Sequence, residues 1–211
     1  MSQIVKRSSS ATLAIVLALA VEVSHASVLD QHNDALLPFQ GFSTPQTIGQ
    51  SFVPTLDNLA AVELQVNDQS IGDGSGWGLF VYIRDGAING AILGMSNTVS
   101  FPDTPAGPFS AIFPALLTFA TSISLSPGHT YVIDVQPDPA NVGSIGVFTA
   151  GGFNIDGYAA GTAFAGALTP ALEPTDLWFR TYAPVPEPQT WTLLLVGLGL
   201  IGAMTPRRTS A

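Results

Sequence analysis

His32 and His129 are the only imidazoles between residues 27 and 183, and no cysteine or lysine accompanies them there. Thiolate nucleophiles, thiolate metal sites, disulfides and Schiff-base chemistry are therefore excluded from this stretch. What remains is carboxylate and hydroxyl chemistry. His129 lies in Pro127-Gly128-His129-Thr130-Tyr131, a turn entering a strand, where a polar residue is ordinary. His32 lies between Asp30 and Asp34 and could join them as metal ligands, although polar chain ends of this kind are commonly disordered. No His-Glu-x-x-His, Gly-x-Ser-x-Gly or phosphate-binding loop occurs. A catalytic carboxylate pair stays open, because spacing across a β-sheet is invisible in sequence. The expectation is a protein without enzymatic activity.

Two loop regions carry hard oxygen donors suited to Ca²⁺: Asn67, Asp68, Ser70 and Asp73, then Asp134, Asp138 and Asn141. The first does not follow the twelve-residue EF-hand pattern, and Asn, Asp and Gly are ordinary turn formers. No cofactor is expected, with structural Ca²⁺ as the alternative. Sugar recognition would use exposed aromatic rings with carboxylates and amides around them. Trp77, Tyr158 and Trp178 are the candidate platforms, against the competing reading that large aromatics in strands belong to a core.

The elements that would position these residues read as strands. Residues 27–183 show no helical period; short apolar alternations are broken by Gly, Pro, Asn and Asp. Val62, Leu64 and Val66 share one side, with Glu63 and Gln65 opposite. Leu79, Val81 and Ile83 alternate with Phe80, Tyr82 and Arg84, and Tyr131, Ile133 and Val135 with Val132, Asp134 and Gln136. Asp176–Tyr182 reads as a closing strand. Turns are expected at Asp73-Gly74, Asp85-Gly86, Asn89-Gly90, Pro127-Gly128 and Gly151-Gly152. Sheets with one apolar face must pack in pairs, so the fold class is all-β, an antiparallel β-sandwich of roughly eight to ten strands.

Charge narrows the partners. Of 15 acidic residues only Glu22 and Glu187 lie outside 27–183, whereas Arg84 and Arg180 are the only basic side chains within it. So acidic a surface repels phosphate backbones, and nucleic-acid binding is not expected.

Both ends carry processing signals. Lys6 and Arg7 precede an apolar run over residues 11–21, and Ser24 and Ala26 supply the small residues that signal peptidase reads. The run is short for a hydrocarbon core of about 30 Å, so residues 1–26 read as a signal peptide cleaved after Ala26. At the other end, Val185-Pro186-Glu187-Pro188 precedes an apolar run from Trp191 to Met204, then Arg207 and Arg208. Each proline fixes its own φ and drives the preceding residue out of the helical region, so this segment stays extended. At 1.5 Å per residue the apolar run reaches about 21 Å, an under-length transmembrane helix. The arginine pair holds its end on the cytoplasmic side.

That order resembles the PEP-CTERM sorting signal over residues 185–208, and 184–211 is assigned to it as a segment. The resemblance implies recognition and tail removal by an exosortase, an integral-membrane cysteine protease, in a Gram-negative host that makes exopolysaccharide. Implied partners are therefore exosortase and signal peptidase during processing, the membrane through the tail, and exopolysaccharide. The implied location is the cell envelope, cell surface or extracellular matrix. Within residues 48–182, Gln50-Ser51-Phe52 with Leu59 and Val62, Trp77 with Val81-Tyr82-Ile83, Leu125–Ile133, and Leu177-Trp178-Phe179-Arg180 look like an extracellular jelly-roll module. Such modules imply surface attachment or carbohydrate binding. The function expected is that of an exported envelope or matrix protein, with a carbohydrate-binding module and a secreted hydrolase as alternatives.

Overall fold

The computed structural model describes residues 27–34, 41–43, 48–106, 111–140, 145–148, 157–165 and 176–185. Both expected processing segments lie outside them, apart from Pro184 and Val185 at the start of the tail. The described residues are all β: β1 (Ser27–Asn33), β2 (Gly41–Ser43), β3 (Ile48–Phe52), β4 (Asn58–Asp68), β5 (Trp77–Asp85), β6 (Ile92–Met95), β7 (Val99–Phe101), β8 (Ile112–Ser124), β9 (Tyr131–Pro137), β10 (Ile145–Phe148), β11 (Ala163–Ala165) and β12 (Phe179–Pro184). Strands of three or four residues account for the excess over the expected number.

Every pairing is antiparallel. The first sheet runs β1-β12-β4-β10-β2, with β8 also on β4; the second runs β11-β3-β9-β5-β6, with β7 also on β5. β8 follows β4 from Asn58 to Asn67, so β12 and β10 divide the opposite edge of β4 between them. β4 and β5 are the long central strands, and their alternation is the expected one. Val62, Leu64 and Val66 from one sheet and Leu79, Val81 and Ile83 from the other are completely buried in one shared core. Leu59, an odd position, joins the even positions Val62 and Leu64 in that core because the ladder slips between Leu59 and Ala61. The two sheets form a β-sandwich.

β9 departs from simple alternation. Val132 and Asp134 point away from the core, yet they are as buried as Tyr131, Ile133 and Val135. The turn after β5 folds back over them. It opens at Gly86 with φ +67°, which a side chain would strain, and it brings Ile88 down beside Val132. A β-carbon at Gly49 would lie 2.9 Å from Ile88 and 3.4 Å from Val132, so this strand glycine makes room for the turn.

The polar segment around His32 is ordered, in contrast to the expected disordered end. It forms β1, paired with β12 along Ser27↔Pro184, Val28↔Ala183 and Leu29↔Tyr182. A bulge between Leu29 and His32 interrupts the ladder, and there the Gln31 N–H donates to Thr181 Oγ1 at 3.0 Å.

Candidate functional site

Three places could do chemistry or bind: the pole where Ser27 pairs with Pro184, and the outer face of each sheet. At the pole, Asp30 leaves the β1 ladder and accepts from the Thr55 N–H at 3.0 Å, tying β1 to the loop before β4. Val28, Leu56, Asp57 and Asn58 line a groove of about 580 Å³ with Ser122 of β8 and with Ala183, Pro184 and Val185. Val28 is 45% and Val185 38% exposed, so apolar surface stands open where the tail begins.

The outer face of the first sheet carries a charged cluster. Arg180 donates to Asp34 at 3.0 Å and lies 3.6 Å from Glu63; the Tyr182 hydroxyl donates to Glu63 at 2.6 Å; His32 Nδ1 lies 3.2 Å from Asp34. The Arg180 hydrogen bond holds the Asp34 carboxyl below its ordinary value, and Asp34 raises Arg180 in return. Burial, and then the bond to Glu63, push the Tyr182 hydroxyl up. Of the two carboxylates that His32 could join, only Asp34 is beside it, whereas Asp30 accepts from Thr55. His129 Nε2 lies 2.7 Å from Asp85 on an exposed turn.

On the outer face of the second sheet, Tyr82 stands between Met95 and Asp134 in register, and Phe80 stands beside Gln136. The Phe80 and Tyr82 rings meet edge to face at 5.2 Å, and the Arg84 guanidinium lies 5.5 Å from the Tyr82 centroid. Arg84 Nε donates to the buried Asp134 at 2.6 Å, Arg84 Nη1 to the Gly90 carbonyl, and Gln136 to the other Asp134 oxygen at 2.7 Å. A partly exposed aromatic pair is thus framed by a guanidinium, an amide and a 57% exposed methionine.

The three aromatic residues weighed as sugar platforms against a core role are packed into the protein. Trp77 is completely buried, stacked on Phe101 at 4.4 Å. Tyr158 is buried edge to face on Phe179, its hydroxyl donating to Gln31 and accepting from the Val53 N–H. Trp178 is 5% exposed, with the Arg180 guanidinium 4.9 Å from its ring centroid. Phe80 and Tyr82 were findable: they alternate with Leu79, Val81 and Ile83, which places them on the opposite face of β5.

The acidic candidates for calcium serve backbone geometry. Asp68 is buried and accepts from the Ser70 and Thr104 N–H groups; Asp73 accepts from Ser75 and Asp138 from Ala140. Asp134 meets Arg84. Among the described residues, no three His, Asp or Glu side chains are grouped to hold a metal ion. Asn141 lies outside the described residues, as do Ser24, Ala26, Pro186, Glu187, Pro188, Arg207 and Arg208.

A polar network missed by sequence reasoning fastens the tail-bearing strand. Gln50, pointing into the sandwich from β3, donates to Asp176 at 2.9 Å and accepts from the Leu177 N–H at 2.7 Å. Asp176 also accepts from the Gly157 and Tyr158 N–H groups, and Asn33 donates to the Leu177 carbonyl. These partners lie more than a hundred residues apart for Gln50 and Asp176, so no local pattern announces them.

Fold and pole together define an all-β sandwich whose strand β12 ends at Pro184, the first residue of the tail segment. Residues 184–208 of that tail match the PEP-CTERM protein-sorting motif. The chain is thereby marked as an exported substrate of exosortase. No curated protein matches it.

Proposed function

We propose that this is a non-enzymatic cell-envelope or extracellular-matrix protein that exosortase delivers to the surface, where it associates with exopolysaccharide. The sorting motif carries the reading, because it begins within the last strand of the sandwich. Pairing of Ser27 with Pro184 brings the residue after the expected signal cleavage to the same pole as the tail, which suits processing at one membrane. Supporting a non-enzymatic role, each histidine of the body meets a single exposed carboxylate, and neither lines the groove. Fractionation of the wild type against a Glu187→Ala, Pro188→Ala variant tests the sorting. The variant is expected to keep its tail and stay with the inner membrane; identical processing and fractionation would overturn the reading.

A carbohydrate-binding role has one observation in its favour, the Phe80–Tyr82 pair with Arg84, Asp134 and Gln136 around it. An aromatic ring covers the apolar face of a pyranose while amide and guanidinium groups meet its hydroxyls. Polysaccharide pull-down is expected to retain the wild type and to lose Tyr82→Ala. Equal retention of the two, or none of either by any polymer, counts against it.

A further inference from the structure

Between the sandwich and the sorting motif there is no linker. β12 holds its ladder to Pro184, and Val185 alone separates it from Pro186. At about 3.3 Å per extended residue, the three residues from Pro184 to Glu187 give the chain a reach of about 10 Å at most. Any enzyme that grips Pro186-Glu187-Pro188 must therefore lie against this pole of the folded domain. The groove is there, lined by the exposed Val28 and Val185 together with Ala183 and Pro184. Open apolar surface of this kind commonly marks an interaction site. Acidic side chains lie in the groove and near it in sequence: Asp57 lines it and is exposed, and Asp30 accepts from Thr55, two residues before Asp57. Acidic groups are repelled by the negative surface of an anionic leaflet, which favours a protein occupant over lipid headgroups.

We propose that this groove is a docking surface for the membrane protease that removes the tail, so that the folded sandwich itself helps present the cleavage motif. The proposal rests on exosortase sorting of this chain and adds a second contact to the linear signal. Recognition then has two parts: Pro186-Glu187-Pro188 in the active site, and Val28, Leu56 and Val185 against the enzyme's outer surface. The short reach from the end of the β12 ladder at Pro184 keeps the two close.

The test follows tail removal from the pulse-labelled full-length precursor in its own host. Ser122→Trp fills the groove from an exposed strand position, and Asp57→Lys inverts a charge in its lining. A flexible Gly-Ser spacer between Val185 and Pro186 leaves the sandwich untouched but parts motif from groove. Ser122→Trp and the spacer are each expected to slow removal by about tenfold, the scale of one lost interface anchor. Asp57→Lys is expected to slow it as well. Wild-type rates for both Ser122→Trp and the spacer, while Glu187→Ala, Pro188→Ala blocks removal, overturn the docking proposal and leave the sorting intact. Normal removal from the Glu187, Pro188 variant sinks the sorting reading and this one with it. Faster removal from Asp57→Lys assigns the groove to anionic lipid instead. If Ser122→Trp fails to fold, the spacer variant decides.

Discussion

Asp176 is the residue whose alteration best tests the account of how the tail-bearing strand is held. Its carboxylate is 1% exposed, and the Gln50 amide at 2.9 Å, the Tyr158 N–H at 2.9 Å and the Gly157 N–H at 3.1 Å all aim at it. Each of these is a donor. Asp176→Asn keeps the shape but turns one oxygen into a donor. If the amide oxygen stays with Gly157 and Tyr158, its NH₂ faces the NH₂ of Gln50, leaving a buried donor unmet at about 1–3 kcal/mol. The two bonds retained also lose their charge assistance, about 1 kcal/mol each. Together the loss is about 3–5 kcal/mol, a large share of the 5–15 kcal/mol typical of a domain. At about 2–4 °C per kcal/mol for a domain this size, the melting temperature falls by about 6–20 °C. Thermal unfolding followed by circular dichroism measures it, and hydrogen exchange at Tyr158 and Leu177 locates the loosening. A shift under about 2 °C would refute the claim that these donors depend on one buried acceptor.

Arg84→Met is expected to destabilise the domain by about 3–5 kcal/mol, because it leaves Asp134 buried without its cation; urea unfolding of Arg84→Met beside Arg84→Met, Asp134→Leu should show the second change restoring stability. Alkali should destabilise the fold. Burial raises Tyr158 and Tyr182 above their ordinary value of 10.0, so the folded state keeps them protonated. Their contribution is complete below that value and is lost as pH rises through it, since the unfolded chain ionises first. Melting curves on either side of pH 10 should show the fall, with a shallower slope for Tyr158→Phe; equal slopes contradict it. Calcium is expected to leave the melting temperature unchanged, because Asp68, Asp73 and Asp138 already accept from backbone N–H groups; a rise on adding calcium would reverse that assignment.

Where burial follows a short period, the fold is legible in the sequence. Val62, Leu64 and Val66 and the β5 series need only alternation to declare an inner face, and the sorting tail is linear, so its order can be read directly. The ring positions fail for a different reason. Trp77, Tyr158 and Trp178 combine a large apolar body with one polar atom, a composition that suits a core wall and a sugar platform equally. Only the register distinguishes them, and register comes from partners far along the chain. β1 escaped for a similar reason: Asp30–Asp34 looks like a solvated end until Arg180 and Thr181 arrive from the far terminus to meet it.

The pairing of β12 with β1 on one side and β4 on the other also bears on mechanics. If the protein is tethered through its C-terminus, flow drags the body while the tether pulls Pro184 lengthwise along its own strand. Backbone hydrogen bonds lie across that direction, so the rungs to both neighbours share the load at once instead of parting singly. A surface protein built this way resists shear best at the strand from which it hangs.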